Sequence, residues 1–108
     1  MCGIVGIAAL DRTPIPRLRQ NLQAMSQLVA HRGPNGHGQW GHPSGRVGLG
    51  HRRLSIIDLS PAAAQPMHAE SGNVISFNGE IYNYLELQKE LQHSWQFRSN
   101  SDTETVLA

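Results

Sequence analysis

From Cys2 to Leu10 the chain is almost wholly apolar, Cys2-Gly-Ile-Val-Gly-Ile-Ala-Ala-Leu10, and it turns polar at Asp11. A short apolar run punctuated by glycine predicts a buried strand. After the turn-like Thr13-Pro-Ile-Pro16, residues Leu18, Leu22, Met25, Leu28 and Val29 recur at spacings of three or four. They predict one apolar helix face, stopped by Gly33-Pro34. Asn35 to Gly50 is rich in Gly and His, with Pro43-Ser44-Gly45 as a turn between two short strands. The second of these runs from Val47 toward Ile57 and into a loop at Ser60-Pro61.

The β-branched and aromatic Val74-Ile-Ser-Phe77 predicts a further strand ending at Asn78-Gly79. Ile81, Tyr84, Leu85 and Leu91 then share a helical face, and Trp95-Gln-Phe97 is a strand candidate. Ser101-Asp-Thr-Glu104 has the spacing of a capping box, in which the Ser hydroxyl and the Glu carboxylate each accept a backbone N–H of the first turn. Four residues follow Glu104, too few for a stable helix. The sequence thus has the pattern of a fragment that stops as a helix begins.

Composition narrows the class. The 108 residues suffice for one hydrophobic core, and 39% hydrophobic with 16% charged residues suits a globular chain. A formal charge of +1 gives no electrostatic case for nucleic acid or an anionic membrane. No apolar stretch approaches membrane-spanning length, and no basic residue precedes the first one, so a cytoplasmic location is expected. The single cysteine cannot form an internal disulfide, which agrees with a reducing compartment.

The position of that cysteine matters more than its number. Removal of Met1 would leave a free N-terminal Cys2, joining a thiol and an α-amine in one residue. Their ordinary pKa values, about 8.5 and about 7.7 to 8.0, let the amine manage the thiol proton near neutral pH. Such a thiol can attack an amide or ester carbonyl and form a thioester. The plainer alternative is a small buried hydrophobe, and position alone does not decide between them. While Met1 remains attached, the Cys2 nitrogen is an amide and not a base.

Attack on a carbonyl needs donors for the oxygen that becomes negative. Asn78-Gly79 offers a side-chain amide N–H and a backbone N–H on successive residues, although Asn-Gly by itself more often marks a hairpin turn. An amino-acid substrate also needs opposite charges at its two ends. Arg53 can fork a carboxylate, while Glu80 and Asp102 can pair with an ammonium group. Each alone is as readily a surface charge, and Asp102 also suits a helix N-terminus.

Other features carry less. Gly36-His-Gly-Gln-Trp-Gly41 has dinucleotide-type glycine spacing, but no apolar strand leads in and no helix pattern leaves. The six histidines and lone cysteine fit no common zinc spacing, so no metal site is expected. His31-Arg32 suits the end of a helix, where a cation offsets the terminal dipole.

Several blocks then stand out in order: Met1-Cys-Gly-Ile-Val-Gly6, His31-Arg-Gly-Pro34, Gly50-His-Arg-Arg-Leu-Ser-Ile-Ile-Asp58, Gln65-Pro66, Phe77-Asn-Gly-Glu-Ile-Tyr-Asn83 and Ser101-Asp-Thr-Glu104. Together they resemble the class II glutamine amidotransferase domain of glutamine-hydrolysing asparagine synthetases, over nearly the whole chain. The Cys start and Asn-Gly pair are shared by other class II amidotransferases. The Arg-Leu-Ser-Ile-Ile-Asp and Asn-Gly-Glu-Ile-Tyr-Asn blocks resemble the asparagine synthetase branch.

The resemblance implies an α+β fold, the N-terminal nucleophile hydrolase αββα sandwich with mainly antiparallel sheets, of which residues 1–108 are roughly the first half. It implies hydrolysis of L-glutamine to glutamate and ammonia, with Cys2 as nucleophile and its freed amine as base. Arg53 would hold the substrate carboxylate, with Leu54, Ser55, Ile56 and Ile57 lining the same pocket. Asn78 and Gly79 would form the oxyanion hole, and Glu80 and Asp102 would orient the ammonium.

No cofactor is expected in these residues. In the parent protein a C-terminal synthetase domain in cis would use ATP and magnesium to amidate aspartate, and homodimer formation is left open. Asn35 departs from the family's usual Asp after His-Arg-Gly-Pro, which bears on the turn rather than the nucleophile. The alternatives are a catalytically silent glutamine-binding or interaction module, and an amidotransferase for a different acyl acceptor.

Overall fold

The computed structural model describes residues 1–54 and 60–108. The first apolar run forms strand β1, Gly3–Ala8. The Gly- and His-rich stretch forms β2, Gly36–Gly41, and β3, Val47–Arg53. They make an antiparallel sheet in the order β1-β3-β2. The dinucleotide-like glycine spacing is therefore strand β2 itself, with no phosphate-binding turn. Gly45, at φ 73°, reverses the chain between β2 and β3, a conformation glycine adopts without the clash of a Cβ.

The first predicted helix is α1, Leu18–Leu28, followed by a 3-10 turn at Ala30–Arg32. It lies across one face of the sheet because β3 presents Gly48 and Gly50 there, each a residue apart from the larger Leu49 and His51. A Cβ on Gly48 would stand 2.6 Å from Leu22 Cδ1 and 2.9 Å from Leu18 Cδ1. On Gly50 it would stand 2.7 Å from Ser26 Oγ. The helix thus seats against bare backbone, and Leu22 is left 1% exposed. Burying such a leucine contributes about 2 kcal/mol. Leu28, expected on the same face, is 77% exposed at the last helical position, where the chain is already leaving the sheet.

Beyond the sheet, a short antiparallel pair joins β4, Met67–His68, to β5, Val74–Ile75. Two helices follow: α2, Tyr84–Leu91, and α3, Asp102–Leu107. The third helix packs against α2 and against both strands of the short pair. The molecule is α+β with antiparallel sheets, as expected.

Two sequence expectations fail in this half. Trp95 to Phe97 is not a strand. The capping box does not close either: Ser101 Oγ accepts the N–H of Thr103 at 3.1 Å, but Glu104 turns elsewhere. Its carboxylate accepts the Trp95 indole N–H at 3.1 Å, the Arg98 and Ser99 backbone N–H groups at 2.9 and 2.8 Å, and the Ser99 hydroxyl at 2.5 Å. The Trp95 indole, Arg98 and Ser99 give donors to this buried carboxylate, and the Trp95 backbone N–H goes to the Leu91 carbonyl at 2.9 Å. Among the described residues no helix is long and apolar enough to cross a membrane.

Candidate active site

Register places the chemistry. Gly3 pairs with Arg52, so Cys2 falls beside the C-terminal end of β3. Its Sγ accepts the Leu54 N–H at 3.2 Å, and its thiol donates to the Leu54 carbonyl at 3.6 Å. The Cys2 carbonyl in turn accepts from Arg32 Nε at 3.2 Å. Arg32 was expected only to offset a helix dipole, and it also holds the residue that carries the thiol. Gly33 lets this turn lie on β3, because a Cβ there would collide with the Arg52 backbone.

Arg53 ends β3, and its guanidinium donates to the Ser60 carbonyl at 3.0 Å, which directs the side chain. Two positions earlier on β3, His51 is 1% exposed, with Nδ1 2.8 Å from Ser76 Oγ. Burial, and secondarily the charge on Arg53, lowers its pKa to about 4. The neutral imidazole so formed ties β3 to the residues leading into Asn78.

Asn78-Gly79 is not a hairpin turn. It follows β5 in a segment of irregular backbone, and helix α2 comes next instead of a second strand. Gly79 fits closely: a Cβ there would stand 2.7 Å from the Phe77 ring. Asp102, 5% exposed, opens α3 and accepts the Ile81 N–H at 2.9 Å through Oδ2. Its carboxylate is thus fixed against the same segment.

A cavity of about 350 Å³ is lined by Cys2, Arg53, Leu54, Asn78, Gly79, Glu80 and Asp102. Every described residue that the sequence nominated for chemistry opens onto this one space. Ser55, Ile56 and Ile57, expected in the same pocket, lie outside the described residues. A thiol, two consecutive amide donors and charges of both signs around a cavity can attack and hold the amide of a zwitterionic amino acid. Met1 also borders the cavity and is 68% exposed.

Comparison with known proteins gives the chain its place. The model of the glutamine amidotransferase domain matches residues 1–108. The chain belongs to this family. It is 40% identical to a protein named amidase chry2 from Gibberella zeae, over 100% of the chain and 17% of that relative. It is 39% identical to glutamine-hydrolysing asparagine synthetase 1 of Bacillus subtilis, again over 100% of the chain and 17% of the relative. With asparagine synthetase B of Escherichia coli the identity is 38%, over 100% of the chain and 19% of the relative. The chain therefore spans less than a fifth of the length of these relatives, and it matches their amidotransferase portion.

Residues without a nominated chemical role also face this space. Ala63, Gln65, Phe77, Tyr82, Ser101 and Thr103 share the cavity wall. Gln65-Pro66 was noticed only as part of a family block. No local periodicity marks a glutamine whose partners lie 12 and 38 positions away.

Proposed function

We propose that this domain is the glutaminase half of a glutamine-dependent amidotransferase of the asparagine synthetase type. The observation that carries this reading is the shared cavity of Cys2, Arg53, Asn78, Gly79, Glu80 and Asp102. After Met1 is removed, the Cys2 α-amine accepts the thiol proton, and sulfur adds to the side-chain carbonyl of L-glutamine. Asn78 and Gly79 donate to the oxyanion, an arrangement whose single donors are commonly worth about 10²-fold to 10³-fold in rate. Collapse returns the proton to the departing nitrogen, leaving ammonia and a γ-glutamyl thioester. Water then cleaves the thioester, and glutamate leaves with the thiol restored.

Arg53 holds the substrate α-carboxylate, and Leu54 with Ser55, Ile56 and Ile57 lines the pocket beside it. Glu80 and Asp102 face the α-ammonium. The hydrogen bond from Leu54 N–H holds the sulfur beside Arg53 on the cavity wall. In this reading the fold is the αββα sandwich of N-terminal nucleophile hydrolases, with the present sheet as one of its layers. A cytoplasmic location keeps the nucleophile reduced.

In the longer protein, a synthetase domain in cis would take the ammonia and amidate aspartate. ATP and magnesium would be bound there. Among the described residues no group of three His, Cys, Asp or Glu side chains is placed to hold a metal ion. A second reading, amidation of a different acyl acceptor, draws on the 40% identity to a protein whose name is not that of an asparagine synthetase. It changes the acceptor and leaves the glutaminase chemistry as described.

The test is Cys2→Ala in the full-length protein, assayed with glutamine and with ammonium as nitrogen donor. Loss of the glutamine-driven reaction alone is expected; loss of both, or of neither, rejects a dedicated glutaminase. Mass spectrometry of the cell-made N-terminus should find Cys2 first, since a retained Met1 leaves no base.

A further inference from the structure

We infer that Gln65 is a positioning residue for the oxyanion cradle, an inference that rests on the glutaminase reading above. Among the described residues, the backbone carrying Asn78 and Gly79 belongs to no sheet ladder: β5 ends at Ile75 and α2 begins at Tyr84. Its placement matters, because donors misplaced by about 1 Å can cost on the order of 10²-fold in rate. Two side chains from distant elements grip the segment at its ends. Gln65 Oε1 accepts the Phe77 N–H at 2.6 Å, and Asp102 Oδ2 accepts the Ile81 N–H at 2.9 Å.

The two grips are joined. Gln65 Nε2 donates to Thr103 Oγ1 at 3.2 Å, and Thr103, 3% exposed, follows Asp102 in the first turn of α3. Gln65 is itself seated on β2, where a Cβ on Gly38 would collide with the Gln65 carbonyl oxygen. From Phe77 the constraint reaches the cradle through the aromatic ring, which fills the space a side chain on Gly79 would need. One primary amide therefore sets strand end, helix start and cradle relative to the sheet that carries Cys2. Asp102 would meet the ammonium of the substrate; Gln65 acts through Phe77.

The experiment uses the full-length protein with Gln65→Leu, Thr103→Val and Thr103→Ser. Gln65→Leu keeps the approximate volume and removes both hydrogen bonds; Thr103→Ser keeps the hydroxyl. Five quantities are read: kcat and KM with glutamine, the rate with ammonium, the rate of Cys2 alkylation by iodoacetamide, and the affinity for the aldehyde analogue of glutamine. Alkylation is a displacement at saturated carbon and forms no oxyanion, whereas the aldehyde places one in the cradle on adding the thiol.

Gln65→Leu is expected to lower kcat about ten- to a hundredfold, with KM changed less than about threefold. Aldehyde affinity should fall in step, with alkylation and ammonium-driven rates unchanged. Thr103→Val should follow at a smaller scale, and Thr103→Ser should stay near the parent. Unchanged kcat and aldehyde affinity in Gln65→Leu would overturn the assignment, as would an equal loss of kcat, ammonium-driven rate, alkylation rate and aldehyde affinity, which marks general disruption. Failure of the underlying glutaminase reading would show separately, as glutamine-driven activity surviving Cys2→Ala.

Discussion

Replacing Glu104 by Gln tests whether a buried carboxylate, and not a sheet, organises residues 95–99. The two oxygens divide their work: Oε1 accepts from Trp95 Nε1 and Arg98 N, and Oε2 accepts from Ser99 N and Ser99 Oγ. A glutamine keeps the shape but must present its NH₂ to one pair. The better arrangement faces Ser99, whose hydroxyl can rotate to accept, leaving the Ser99 N–H against a donor. A stranded buried N–H costs about 1 to 3 kcal/mol, and the two remaining bonds lose the charge assistance that made them stronger.

Together these place the loss at roughly 2 to 4 kcal/mol. The sign with pH is fixed as well. Burial of Glu104 raises its pKa, but the bonds from Ser99, Arg98 and Trp95 outweigh it and leave the value below the ordinary 4.5. Its stabilisation is therefore present above that value and is lost as pH falls through the lower folded-state pKa. Urea unfolding at pH 7 and again near pH 3 should show a large difference between parent and variant that shrinks in acid. A difference under about 0.5 kcal/mol at pH 7, the size of an ordinary surface change, would refute the reasoning. A difference equal at both pH values would do so too.

Further outcomes follow from the same structure. His51, held neutral with a pKa of about 4 against 6.5, contributes stability above pH 6.5 that is lost as pH falls toward 4; the shift corresponds to about 3 kcal/mol, and His51→Gln should flatten that part of the pH–stability curve. Leu22→Ala should cost about 2 to 5 kcal/mol in urea unfolding, since it empties the space between α1 and bare β3 backbone. Gly48→Val should also destabilise, by about 1 to 3 kcal/mol, because its side chain would overlap Leu22 and Leu18. Arg53→Lys in the full-length protein should raise KM for glutamine about 10-fold to 100-fold, the cost of losing a forked carboxylate partner; an unchanged KM would remove Arg53 from the substrate.

Those local elements whose burial follows their sequence period were legible. β1 could be read from its apolar run and α1 from the recurrence of Leu18, Leu22 and Met25, and the turn at Gly45 because glycine chemistry marks it. The site was legible as residue types, but its assembly depended on register, which brings Cys2 to Leu54 across β1 and β3. Misreadings came where a side chain overrode a local pattern. Trp95 and Phe97 have the composition of a strand, and Ser101 to Glu104 the spacing of a capping box, yet one carboxylate reaching back to Arg98 and Ser99 undid both. Leu28 fits the helical period but lies past the end of the contact. The bond between Gln65 and Phe77 has no periodic signature, because it joins two irregular segments.

The central strand does more than complete a ladder. Because the thiol is tethered to Leu54 and the guanidinium grows from Arg53, both are held by one stretch of backbone. In the proposed glutaminase, the span from sulfur to guanidinium would act as a fixed ruler for chain length. An amino acid whose side-chain carbonyl lies one methylene nearer its backbone would bring that carbon short of the sulfur, whatever the strength of its grip on the anchor.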